Sequence, residues 1–132
     1  MKLNLAFLLP ALVGAGLAQA LMAAPPAPAA VKAQPDGSAL YRQRCNTCHS
    51  LTPGQNNPAG PNLAGIVGRD AAAGAFRYSP ALRGSKLTWT PAKLDEFLAG
   101  PSALVPGTRM MVDIRDAAER KAIVDFLANG KS

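Results

Sequence analysis

The sequence predicts an all-α domain of three to five helices joined by irregular loops. Two segments, 90–100 and 116–130, carry helix start and stop residues around an apolar stripe of helical period. The stretches between them are too rich in Gly, Pro and Asn for central strands, and no strand pair of any length is visible. The third observation is Cys45-Asn46-Thr47-Cys48-His49, whose spacing sets two thiols on one face of a helical turn.

Taken in order, the chain opens on Lys2, the apolar run Leu3 to Leu17 and the small residues Ala18-Gln19-Ala20. Residues 1–20 therefore read as a secretory signal peptide cut after Ala20. The run is shorter than the roughly 20 residues that span a bilayer and contains Pro10, so an uncleaved membrane anchor is the alternative reading. Residues 21–35, rich in Pro and Ala without apolar periodicity, read as an extended linker. Residues 36–132 remain, about one hundred, the size of one small domain.

Asp36 caps a first helix that runs through Leu40, Tyr41 and Arg44 into the Cys-X-X-Cys-His turn. Leu51 to Asn57 is a polar loop, and residues 60–69 (GPNLAGIVGR) form a wrapping loop with Leu63 and Ile66 or Val67 as apolar contacts. A helical turn follows Pro80, and Leu87-Thr88-Trp89 is a short extended piece. Thr90 then caps a helix whose first residue is Pro91, whose buried stripe is Leu94, Phe97 and Leu98, and which stops at Gly100 before Pro101. Asp116 begins the last helix with Glu119 in capping-box position; Ile123, Phe126 and Leu127 form its apolar face, and Gly130 ends it.

The Cys-X-X-Cys-His turn is the chemical centre of this plan. Each thiol can add to one vinyl group of a protohaem, and the His49 imidazole then lies under the iron as an axial ligand. A thioredoxin-type dithiol needs a βαβ setting that is absent from the pattern. A structural zinc site needs four Cys or His ligands, and the chain has 2 Cys and 1 His. A disulfide across two residues leaves His49 unexplained. Export suits covalent haem, whose thioethers keep both sulfurs out of stray disulfides. Its apolar bulk would also complete the small core of a chain in which 5% of residues are aromatic.

With no second His, the sixth iron position falls to Lys, Met or water. The turn-rich loop 105–112 (VPGTRMMV) offers two thioethers, soft ligands that raise the reduction potential when paired with His. Core filler is the ordinary use of Met, but the Pro-Gly turn and the absence of helical periodicity favour ligation here.

Six segments, CNTCH at 45–49, GPNLAGIVGR at 60–69, FRYSPAL at 76–82, LTW at 87–89, PGTRM at 106–110 and ERKAIVDFL at 119–127, together resemble class I cytochrome c. They span nearly the whole domain 36–132 in the family's order. The resemblance implies the cytochrome c fold, wrapped around one haem c attached through Cys45 and Cys48, with His49 and Met110 as axial ligands. It implies that the Pro61 carbonyl accepts from the His49 ring, that Leu63 lines the haem pocket, and that Tyr78 and Trp89, with Arg69 nearby, hold a haem propionate. Gly37 and Tyr41 would pack against Phe126 where the first and last helices cross. Three residues depart from the family's usual pattern: Phe97 replaces a Tyr that donates toward the ligating sulfur, Arg109 a Lys, and Leu82 a buried Asn.

Residues 21–132 carry 13 Lys and Arg against 8 Asp and Glu, a formal +5. Export removes nucleic acid as a target, and Arg42, Arg44, Lys86, Lys93 and Arg109 flank segments expected at the haem edge, so the charge points to acidic redox proteins. The resulting expectation is a monomeric, soluble periplasmic one-electron carrier and not an enzyme, passing electrons from a quinol-oxidising complex or dehydrogenase to a terminal oxidase or reductase. It would meet a membrane only if the signal is kept as an anchor. The alternatives are a dedicated haem c subunit of a periplasmic oxidoreductase and a haem-based ligand sensor or peroxidase.

Overall fold

Asp36 starts helix α1 (Gly37–Arg44) as its sequence position predicts, its carboxylate accepting from the backbone N–H of Ser38 at 2.9 Å and of Ala39 at 3.4 Å. The structure, a computed structural model, describes residues 33–130, so the expected signal peptide (1–20) and most of the expected linker (21–35) lie outside the described residues. At its far end α1 runs straight into the cysteine turn. The N–H groups of Cys45 and Asn46 both donate to the Tyr41 carbonyl, and those of Cys48 and His49 to the Cys45 carbonyl. The buried Tyr41 hydroxyl donates to the His49 carbonyl at 3.1 Å, tying the turn back to the helix.

Helix α2 (Pro80–Gly84) is one short turn capped by the Ser79 hydroxyl, which accepts from the Leu82 N–H at 3.1 Å. Helix α3 (Pro91–Ala99) begins with the predicted Thr90 cap, bonded to the Lys93 N–H at 3.1 Å, and buries the predicted Leu94, Phe97 and Leu98. Pro101 does more than stop it. The chain breaks at Gly100, with φ −169° and ψ 85°, and Pro101 opens a further helix α4 (Pro101–Leu104). A proline lacks only an N–H that the first turn of a helix leaves unused, so the residue that ends one helix can begin the next.

Helix α5 (Ala117–Ala128) is capped by Asp116, which accepts from Ala118 and Glu119. Its Ile123, Val124 and Leu127 are buried, Ile123 completely so at 0% exposure, which marks the centre of the core. α5 packs on both α1 and α3, and α3 on α4. Where α1 meets α5, Gly37 lies so near the Ala122 carbonyl that a side-chain carbon could not be accommodated, and the Tyr41 and Phe126 rings sit 5.6 Å apart, as the family resemblance implies. A half-buried Arg120 joins α5 to α3 by an ion pair with Asp95 at 2.8 Å, and donates to the carbonyls of Ile114 and Arg115.

Sheet-like pairing among the described residues is limited to two isolated bridges, Asn57 with Gly60 and Asp70 with Thr88. The second, extended by Trp89 N–H to Arg69 O and Gly68 N–H to Trp89 O, fixes Trp89 against the wrapping loop. Lys86, just before it, adopts a left-handed backbone conformation with φ 52°. No described helix is long and apolar enough to cross a membrane.

Candidate functional site

Helices and loops form one large chamber of about 1090 Å³, just above the roughly 300–1,000 Å³ typical of cofactor sites. The cysteine turn supplies Cys45, Cys48 and His49 to its wall; the loop that follows supplies Gly60, Pro61 and Leu63. From α3 come Leu94, Phe97 and Leu98, and from the Pro-Gly loop Thr108, Met110 and Met111. Arg69, Tyr78 and Trp89 also face it. All nine residues singled out from the sequence therefore line one chamber, although they are spread over 66 positions between Cys45 and Met110. Leu82, one of the departures from the family pattern, lines it as well, so the wall carries a leucine where an amide is usual.

The His49 ring is held by geometry. Its Nδ1 lies 2.8 Å from the Pro61 carbonyl oxygen. A carbonyl can only accept, so Nδ1 carries the proton and Nε2 keeps the lone pair needed to bind iron. Burial pulls the His49 pKa below its ordinary value, partly opposed by the bond to Pro61. Burial, the larger influence, favours the neutral ring, and the Pro61 bond keeps its one proton on Nδ1, which leaves Nε2 in the state a metal requires. Gly60 makes the approach possible: a side-chain carbon there would lie 2.5 Å from the Cys48 carbonyl oxygen and 2.7 Å from the His49 ring.

The two cysteines are not joined to each other. Cys45 is buried, and burial pushes its thiol up to about 11. The two methionines of the Pro-Gly loop, left as joint candidates by their residue type, differ in setting. Met110 is half-buried against the core, whereas Met111 is 80% exposed. Arg69 is half-buried and donates to the carbonyls of Asn62 at 2.6 Å and Ala64 at 3.3 Å, so it also braces the wrapping loop.

Sequence reasoning gave no role to two asparagines that organise this region. Asn62 donates from its amide to the carbonyls of Thr52 (2.6 Å) and Gln55 (2.7 Å) and accepts from the Ala64 N–H (2.8 Å). Asn56 donates to the Ala75 carbonyl at 2.6 Å and accepts from the Asn62 N–H at 3.1 Å. Their sequence signal is only a polar, turn-rich composition, which says loop and leaves the partners unnamed.

The residues fit haem c: a mostly apolar chamber, two thiols on one turn, an imidazole on the wall whose Nε2 is left without the proton, and a glycine where a bulkier residue would intrude. An all-α shell built this way defines a haem-binding electron-transfer domain. The chain belongs to the cytochrome c family, whose model, described as cytochrome c, matches residues 35–131. Family members carry electrons and are not enzymes, and haem c is bound covalently through Cys45 and Cys48. The chain is 39% identical over 109 residues to cytochrome c2 of Blastochloris viridis, covering 81% of this chain and 85% of that one. It is 37% identical over 93 residues to cytochrome c-type cyt cy of Rhodobacter capsulatus, covering 69% of this chain but 46% of that relative's length. In structure it resembles cytochrome cH from Methylobacterium extorquens with a TM-score of 0.65 at 35% identity, over 70% of this chain and 94% of that one.

Proposed function

We propose that this electron carrier works in the periplasm, moving one electron at a time through a low-spin haem held between His49 and Met110. The observation that carries the ligand assignment is the contrast between the two thioethers: Met110 is half-buried on the chamber wall, and Met111 is 80% exposed to solvent. Bound haem supplies the ferric/ferrous couple. The chain's own residues orient it, exclude water and tune it. The His49–Pro61 bond fixes the proximal ring. Leu82, Leu94, Phe97 and Leu98 give the chamber an apolar wall, which would favour the less charged ferrous state of a bound haem. Arg69, Tyr78 and Trp89 are assigned to the propionates; the Arg69 fork has five N–H donors, so two loop carbonyls leave donors to spare.

The far-red charge-transfer band of thioether-ligated ferric haem tests this reading. We expect it in the parent, retained in Met111→Ala and abolished in Met110→Ala. A band lost only in Met111→Ala would reverse the assignment.

Acidic redox partners are proposed on charge. Of the cations expected at the haem edge, Arg44 is paired with Glu119 at 3.1 Å and Lys93 with Glu96 at 2.6 Å, so their fields are partly cancelled. Arg42, Arg77, Arg83, Lys86 and Arg109 make no ion pair among the described residues, and all five are exposed. These five, rather than Arg44 and Lys93, are the steering charges toward a quinol-oxidising complex or dehydrogenase as donor and a terminal oxidase or reductase as acceptor.

A further inference from the structure

We propose that Asn56 is a positioning residue for the proximal ligand, aiming the Pro61 carbonyl at His49 and coupling that aim to the loop 71–78. The inference rests on His49 being the axial ligand.

The argument turns on one peptide unit. The carbonyl that accepts from His49 Nδ1 at 2.8 Å belongs to Pro61, and the N–H on the same peptide plane belongs to Asn62. That N–H donates to the Asn56 side-chain oxygen at 3.1 Å. A peptide is planar and stiff, so holding its N–H end sets the direction of its C=O end. Asn56 grips one end of the plane and His49 the other. Pro61 adds a fixed φ on the preceding side, and the Asn62 side chain anchors the following side to Thr52 and Gln55. The peptide's rotation is thereby restricted from both flanks.

The other half of the Asn56 amide reaches away from this plane. Its nitrogen donates to the Ala75 carbonyl at 2.6 Å, 19 residues along the chain. Ala75 lies in the loop that carries Tyr78, and both residues line the chamber. One planar side chain therefore bridges the loop assigned to a propionate and the carbonyl that orients the iron ligand. An amide suits the task because it offers a donor and an acceptor in fixed relation; a carboxylate offers only acceptors, and an alkyl group neither.

This division of labour is separable by substitution. Asn56→Asp keeps the acceptor for Asn62 N–H and loses the donor to Ala75; Asn56→Leu loses both. The test is NMR hydrogen exchange on the ferric holoprotein, following the His49 Nδ1–H and the backbone N–H groups of Phe76 and Tyr78, with α5 amides as the report on global opening. In Asn56→Leu we expect the His49 Nδ1–H to exchange at least about tenfold faster, beyond any change in α5. In Asn56→Asp we expect it to stay within about threefold of the parent while the Phe76 and Tyr78 amides exchange about tenfold faster. Unchanged His49 exchange in the leucine variant, equal acceleration in both variants, or acceleration that merely tracks α5 would each overturn the proposal. If the leucine variant does not accumulate as holoprotein, the aspartate variant decides alone, because acceleration at His49 without acceleration at Phe76 and Tyr78 contradicts it. The premise is checked separately: iron ligation gives the His49 ring protons large paramagnetic shifts in the parent, whatever Asn56 does.

Discussion

At the scale of single residues, Gly60 is the sharpest constraint on the site. A side-chain carbon there would come within 3 Å of both the Cys48 carbonyl and the His49 ring, neither of which can yield without moving the ligand. Gly60→Ala should therefore lower holoprotein stability by about 1–3 kcal/mol in denaturant unfolding, the range for overpacking. An unchanged midpoint would mean that the turn relaxes freely. Much of the site was legible at this scale. Cys45, Cys48 and His49 follow from spacing, and Met110, Pro61, Arg69, Tyr78 and Trp89 from the family's ordered motifs; all meet at the chamber. Asn56 and Asn62 stayed silent because their partners are backbone carbonyls, whose positions depend on the loop path and leave no trace in residue type.

At the scale of elements, boundaries were readable where a side chain makes them. Asp36, Thr90 and Asp116 all cap the helices their positions predict. Helix α4 escaped because a four-residue helix has no apolar period, and Pro101 reads equally as a stop and a start. Thr90→Ala should cost about 1 kcal/mol of stability by removing the bond to the Lys93 N–H. Asp36 makes a pH-dependent contribution. Hydrogen bonds from the Ser38 side chain, then from the Ser38 and Ala39 backbone, hold its carboxyl below 3.8. A carboxyl depressed on folding adds stability that is full above its unfolded pKa and is lost as pH falls through the lower folded value. The stability gap between the parent and Asp36→Ala should accordingly narrow as pH is taken below 3.8, which acid titrations of unfolding free energy will read.

At the scale of the whole molecule, the formal +6 of the full chain says little until the ion pairs are subtracted. Arg44, Lys93, Arg115, Arg120 and Lys121 each have a carboxylate within 3.3 Å, and the exposed cations without one among the described residues are Arg42 on α1 and Arg77, Arg83, Lys86 and Arg109 around α2 and the Pro-Gly loop. Association with an acidic redox partner should therefore slow severalfold at low salt in Arg83→Gln or Lys86→Gln, and less in Lys93→Gln. Stopped-flow rates over a range of ionic strength check this; equal effects for all three would assign the field to net charge alone. Such a pattern is invisible to composition, since pairing depends on which helices the fold sets side by side.

Lys86 stands where these scales meet. Its φ of 52° is a conformation that glycine adopts at no steric cost and that charges other residues on the order of 1 kcal/mol or more. Lys86→Gly should make the protein harder to unfold and at the same time a slower partner in electron exchange. A chain optimised for endurance alone would place glycine there, so a thermostability screen blind to redox turnover would select against the lysine proposed above as a steering charge.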